Sequence, residues 1–144
     1  MSSMLLHKVQ HFLEKASRGE GEGLPPHLIE EFKEMCGSAI QRQFDRKPEY
    51  RVRMSGVGKP LCQQKMSIRE DKEEEVDYTL VMKFLFGDLI EAVAVTVLKA
   101  SGVEIQGEQE AVSLDIGGTT LKGTYDVKID NKIYDIKSAA PGSF

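Results

Sequence analysis

Between Gly123 and Ala140 the chain reads GTYDVKIDNKIYDIKSAA, and three of its residues, Asp126, Asp135 and Lys137, have the types and spacing to do chemistry. Asp130 and Asn131 form a two-residue connection between Ile129 and Lys132, and both tolerate the positive φ that tight hairpin turns require. That loop sets a register in which Asp126 falls directly across from Asp135, with Cβ atoms about 4.5–5.5 Å apart. Lys137 returns to the same face two residues later, while Ile136 points toward the core. Like charges placed opposite each other repel, so the pair calls for a cation. Hard carboxylate oxygens suit Mg²⁺ or Mn²⁺, which keeps several waters and is often completed by phosphate oxygens. A neighbouring ammonium can orient a water, assist its deprotonation and balance charge building on a phosphoryl group. The competing reading is that these charges form the wet face of an ordinary sheet.

The elements that position these residues are legible in the apolar spacing. Residues 1–18 read as a short helix, closed by the joint at 19–26 that holds GEGEG and two prolines. From His27 to about Phe44, Leu28, Phe32, Met35, Ala39 and Ile40 recur at steps of three and four, one face of a second helix. Residues 45–77 carry SGVGKP and the charged run REDKEEEVD, which reads as a solvated lead-in to the next element. A long helix is expected over about Val76 to Ala100, with Gly102 as its C-terminal stop. Glu91 lies on it, with Gly87, Ala94, Val95 and Leu98 at helical neighbour positions, so it either needs a partner or sits at the stripe's border and reaches water. Period two then takes over. A first strand runs through Glu110, Val112, Leu114 and Ile116 to a Gly117-Gly118 turn, a second spans Thr119 to Ile129, and a third covers Lys132 to Ser138.

Composition bounds the setting. The 144 residues are 40% apolar, enough for one core, and the apolar stretch from Tyr78 to Ala100 is broken by Lys83, Asp88, Glu91 and Lys99, which argues against a membrane span. No secretory leader is visible at MSSMLLHKVQ, and Cys36 and Cys62 cannot build a disulfide framework, so a cytoplasmic protein with reduced thiols is expected. The net charge is −4, yet Gln41 to Pro60 holds six basic residues (Arg42, Arg46, Lys47, Arg51, Arg53, Lys59) against Asp45 and Glu49. A basic island in an acidic chain points to a polyanionic partner, or else to a solvated basic loop.

Glu91 within GDLIE on a helix, Asp126 on a hairpin, and DIK at Asp135 to Lys137 together resemble the PD-(D/E)XK nuclease superfamily, specifically its RecB-like phage exonuclease branch. The likeness covers residues 50–140, and RVRMSGVGKPLCQQKM, Arg51 to Met66, is similar to the segment preceding the core in that branch. It implies an α/β fold in an α+β arrangement. A helical region at 1–50 would precede a restriction-endonuclease-like core at 51–144, made of the long helix and a three-stranded antiparallel sheet. Glu91, Asp126 and Asp135, with the carbonyl of Ile136, would hold Mg²⁺ or Mn²⁺, and Lys137 would position the attacking water. Arg53 and Ser55, with Arg51 and Lys59 beside them, would meet DNA phosphate. The implied reaction is phosphodiester hydrolysis by an exonuclease, with catalytic residues Glu91, Asp126, Asp135 and Lys137. The family fold continues beyond the lysine, while seven residues follow Lys137 here, so the core is expected to be incomplete at its C-terminus. The expectation is then a truncated version of a longer nuclease, a homo-oligomer in which a second copy completes the layer, or a catalytically incomplete nucleic-acid-binding or assembly protein on the same scaffold.

Three decoys fall away on spacing. VSLDIGGTTLKG, Val112 to Gly123, resembles the phosphate-binding signature of sugar kinases, but too few residues follow it to build a nucleotide domain. SGVGKP lacks the spacing of a phosphate loop. His7 and His11 sit one helical turn apart with no third metal ligand in sight.

Overall fold

A computed structural model of the chain describes residues 2–45, 58–63 and 78–139. Arg51, Arg53 and Ser55 lie outside the described residues, as do most of the basic island and the REDKEEEVD run. The architecture is a mixed α/β one, helices with small antiparallel sheets, in the order α1 (Ser2–Ser17), α2 (Pro26–Phe44), α3 (Tyr78–Ala100), β1 (Gly107–Glu108), β2 (Ala111–Ile116), β3 (Thr119–Thr124), β4 (Val127–Ile129) and β5 (Lys132–Tyr134).

The helices form where the apolar spacing places them. Pro25 and Pro26 open α2, where a missing N–H costs nothing, and Leu28 and Ala39 on its inner face are buried. α2 packs along α3, and α1 touches α3 as well. Glycine closes α3: Gly102 adopts φ +79°, its N–H reaches the Lys99 carbonyl at 3.1 Å, and Val103 N–H reaches back to Leu98 O at 3.1 Å. This double closure needs a left-handed residue, and it turns Val103 inward onto Leu98. The core is small. Val95, Val103, Val127 and Ile129 are buried together, with Leu5, Met35, Leu98, Ile105, Tyr134 and Ile136 packed against them.

The strands keep the expected turn but depart from expectation in their extent. The Asp130-Asn131 turn is as read, with φ +49° and +61°, and the β4–β5 register pairs Ile129 with Lys132 and Val127 with Tyr134. The second strand, however, does not run unbroken from Thr119 to Ile129. It breaks at Tyr125 and Asp126, and the first strand has an additional inner segment, β1, that alternation alone did not reveal. The three-stranded sheet is therefore β1-β4-β5, with β2-β3 a separate two-stranded ribbon. No residue is inserted at the break. Ala111 pairs with Thr124 and Glu108 with Val127, three steps along on both strands, so one hairpin carries a kink.

Gln109 makes that kink. It has φ +45°, a left-handed conformation that costs a side-chain-bearing residue roughly 1–2 kcal/mol. The backbone still pairs across the bend, through Gln109 N–H to Asp126 O at 2.9 Å and Tyr125 N–H to Glu110 O at 3.3 Å. The ribbon beyond is exposed, including the alternating apolar residues Val112, Leu114 and Ile116. The third strand also ends early. Its ladder stops at Tyr134, and Asp135 to Ser138 continue without strand pairing.

Candidate active-site cleft

A cleft of about 550 Å³ lies between α2, α3 and the kinked hairpin. Among the described residues, its carboxylates are Glu31 and Glu34 from α2, Asp88 and Glu91 from α3, Glu108 from β1 and Asp126 from the break before β4, and its cations are Arg42 and Lys99. An excess of four carboxylates over cations attracts metal ions and repels bare phosphate.

Glu91 is half-buried at the border of the inward helix face, which runs through Asp88, Ala92, Val95 and Lys99; Gly87, which the spacing had grouped with it, is exposed. Burial pushes its carboxyl above the ordinary value of 4.5, and the neighbouring charges of Asp126 and Asp88 push the same way. Two groups oppose this. Gln109 Nε2 donates to Glu91 Oε1 at 2.7 Å, and Arg42 adds a favourable charge. Arg42 Nη1 in turn donates to Gln109 Oε1 at 3.1 Å, and its Nη2 stands 3.7 Å from Asp88 Oδ2. Gln43 Nε2 also donates to Asp88 Oδ2, at 3.1 Å.

The hairpin delivers the rest of the set. Asp126 and Asp135 sit one step beyond the end of the β4–β5 ladder, and their carboxyl groups are within hydrogen-bonding reach of each other. Asp126 is held above the usual aspartate range by burial, with the Asp135 carboxyl adding to the rise. The Ile136 N–H donated to Asp126 Oδ2 at 2.6 Å counteracts it. Asp135 is held below that range, first by Lys137 and then by Asp126. The two shifts run in opposite directions, so of the pair Asp126 is the one that takes up a proton more readily. Lys137 Nζ stands 2.9 Å from Asp135 Oδ2, and its ammonium is stabilised upward by Asp135, Asp126 and Glu91. At neutral pH it is therefore a cation and cannot serve as a base.

The marked residues that are described can now be placed, while Arg51, Arg53 and Ser55 lie outside the described residues. Glu91 and Asp126 line one cleft, and Asp135 and Lys137 stand beside them, exposed. Ile136 meets Asp126 through its N–H rather than its carbonyl, and its side chain packs on the core as expected. Lys59 is exposed and does not line the cleft. Spacing singled out neither Gln109, nor Asp88, nor Arg42 as a site residue. Only Arg42 left a trace, as a member of the basic island. His7 and His11 are stacked, with ring centroids 6.3 Å apart. Among the described residues, no group of three or more His, Cys, Asp or Glu is placed to hold a metal ion. The donor chemistry of the Asp126–Asp135 pair nonetheless fits Mg²⁺, which is commonly held by one or two carboxylates together with substrate phosphate oxygens. Among the described residues, no helix is long and apolar enough to cross a membrane.

In comparison with known proteins, the chain matches no family model, no curated protein and no solved structure.

Proposed function

We propose that this chain is a metal-dependent deoxyribonuclease of exonuclease type, built on a restriction-endonuclease-like core of the PD-(D/E)XK kind and acting on DNA in the cytoplasm. One observation carries the reading: Gln109 ties Glu91 of α3 to the hairpin at Asp126, and Asp126 accepts the Ile136 N–H beside the Asp135–Lys137 ion pair, so groups from α3 and from both sides of the hairpin meet at one place. Asp126 and Asp135 would hold Mg²⁺ or Mn²⁺, with Glu91 facing Asp126 across the cleft. The bound ion would supply Lewis acidity toward a phosphodiester and lower the pKa of a water. Lys137, held protonated, orients that water and balances the charge that builds on the phosphoryl oxygens. Arg53 and Ser55, with Arg51 and Lys59, would meet DNA phosphate, and Arg42 of the same basic island stands at the cleft wall.

The test is cleavage of linear DNA with Mg²⁺ or Mn²⁺, comparing the wild type with Asp135→Ala and Lys137→Ala. Metal-dependent degradation that both substitutions reduce by at least about a hundredfold is expected, the scale of a lost preorganised charge. Equal activity in the variants removes the assignment. A second reading, a catalytically incomplete DNA-binding or assembly protein, is favoured by the lack of a three-ligand cluster among the described residues. It wins if no variant cuts yet all bind DNA with affinity falling steeply as salt rises.

A further inference from the structure

We propose that Gln109 is a positioning residue that sets the geometry of the candidate centre by holding Glu91 and Asp126 from a single strained position; the proposal rests on the nuclease reading above. Three bonds converge on this residue. Its carboxamide donates to Glu91 Oε1 at 2.7 Å and accepts from Arg42 Nη1 at 3.1 Å, while its backbone N–H holds the Asp126 carbonyl at 2.9 Å. Only one orientation of the amide satisfies both side-chain partners, because the carboxylate accepts and the guanidinium donates.

The backbone supplies the second line of support. Gln109 has φ +45° at the point where the hairpin bends with its register intact. Gly, Asn or Asp would occupy such a bend with less strain, so the bend alone does not explain a glutamine there. The side chain does. The bend turns residue 109 toward α3, and the carboxamide spans the distance from the strand to Glu91 while Arg42 holds its far end. Gln109 is not itself a ligand; it pins the backbone at Asp126 and the Glu91 carboxylate that faces it, and loss of such outer support commonly changes metal affinity or activity by about 10–100-fold.

The deciding variant is Gln109→Gly, which keeps the left-handed turn, relieves its strain and deletes the carboxamide. Mn²⁺ serves as the probe, with affinity measured by titration calorimetry on the full chain. Thermal melting is recorded in parallel, and kcat and KM on linear DNA are measured where the wild type cuts. The expected result is a melting temperature equal to or above that of the wild type, Mn²⁺ affinity lower by about tenfold or more, and a fall in kcat with little change in KM. Wild-type Mn²⁺ affinity in the glycine variant overturns the proposal. So does a melting temperature that falls along with the affinity, since the role is then structural, and so does a wild type that binds no Mn²⁺. A wild type that binds Mn²⁺ but leaves DNA intact sinks the nuclease reading alone, and the ratio of Mn²⁺ affinities still decides the role of Gln109.

Discussion

Asp126 has two separable duties, and two substitutions distinguish them. Its Oδ2 accepts the Ile136 N–H at 2.6 Å in a part-buried position, and its charge faces Asp135 and Glu91. Asp126→Ala strips the acceptor and leaves that N–H unpaired, at a cost of about 1–3 kcal/mol. For a chain of this length each kcal/mol moves the melting temperature by about 3–4 °C, so a fall of roughly 3–12 °C is expected. Asp126→Asn keeps a carbonyl oxygen for Ile136 and removes the repulsion, so it should melt at or above the wild type. Divalent metal then reverses the order. At a hundredfold excess over its Kd, a ligand stabilises the state it binds by about 2.7 kcal/mol. Mg²⁺ should therefore raise the wild type's melting temperature by several degrees and leave Asp126→Asn unmoved. The assay is scanning calorimetry with and without Mg²⁺, beside DNA cleavage. Alanine and asparagine variants that melt together would refute the hydrogen-bond argument, and an asparagine variant shifted by Mg²⁺ as far as the wild type would refute the ligand argument.

Glu91, held above 4.5 mainly by burial, takes up its proton more readily in the folded chain than in the unfolded one. Its contribution to stability is present below that value and is lost as pH rises through the raised one. Glu91→Gln should accordingly melt like the wild type near pH 4 and above it at pH 7; parallel melting curves across that range would remove the effect. Val127 is 1% exposed in the core and Val112 is 38% exposed on the ribbon, so Val127→Ala should cost about 1–3 kcal/mol by chemical denaturation and Val112→Ala under about 0.5. Equal costs would mean that the ribbon is covered. Met82, Phe86, Ile90 and Val93 form an exposed apolar stripe on α3, so light scattering should give a mass above the 16.1 kDa of one chain, and Phe86→Lys with Ile90→Lys should lower it. A wild-type mass of one chain contradicts self-association.

The elements were legible because they answer to local periodicities. Apolar steps of three and four marked α2 and α3 to within two residues, and Gly102 marked the end of α3 because its left-handed φ closes the last turn. The Asp130-Asn131 turn carried its own register, since two residues at positive φ leave one way to pair the strands. β1 stayed hidden because two residues, Gly107 and Glu108, are too short to alternate. The kink at Gln109 stayed hidden because nothing in GEQE announces a left-handed glutamine. The exposure of the β2–β3 ribbon was not legible, because alternation identifies an apolar face without saying what covers it.

Sequence alone determined the helices, the tight turn and the register of the strands beside it, since each follows from spacing along the chain and the stereochemistry of a few residues. Tertiary structure decided which distant groups meet. Glu91 meets the hairpin at Gln109 only because α3 packs beside a strand that bends there, and Arg42 joins them only because α2 lies along α3. Such meetings depend on the relative placement of elements tens of residues apart, which side-chain burial and backbone strain settle together and no local pattern encodes.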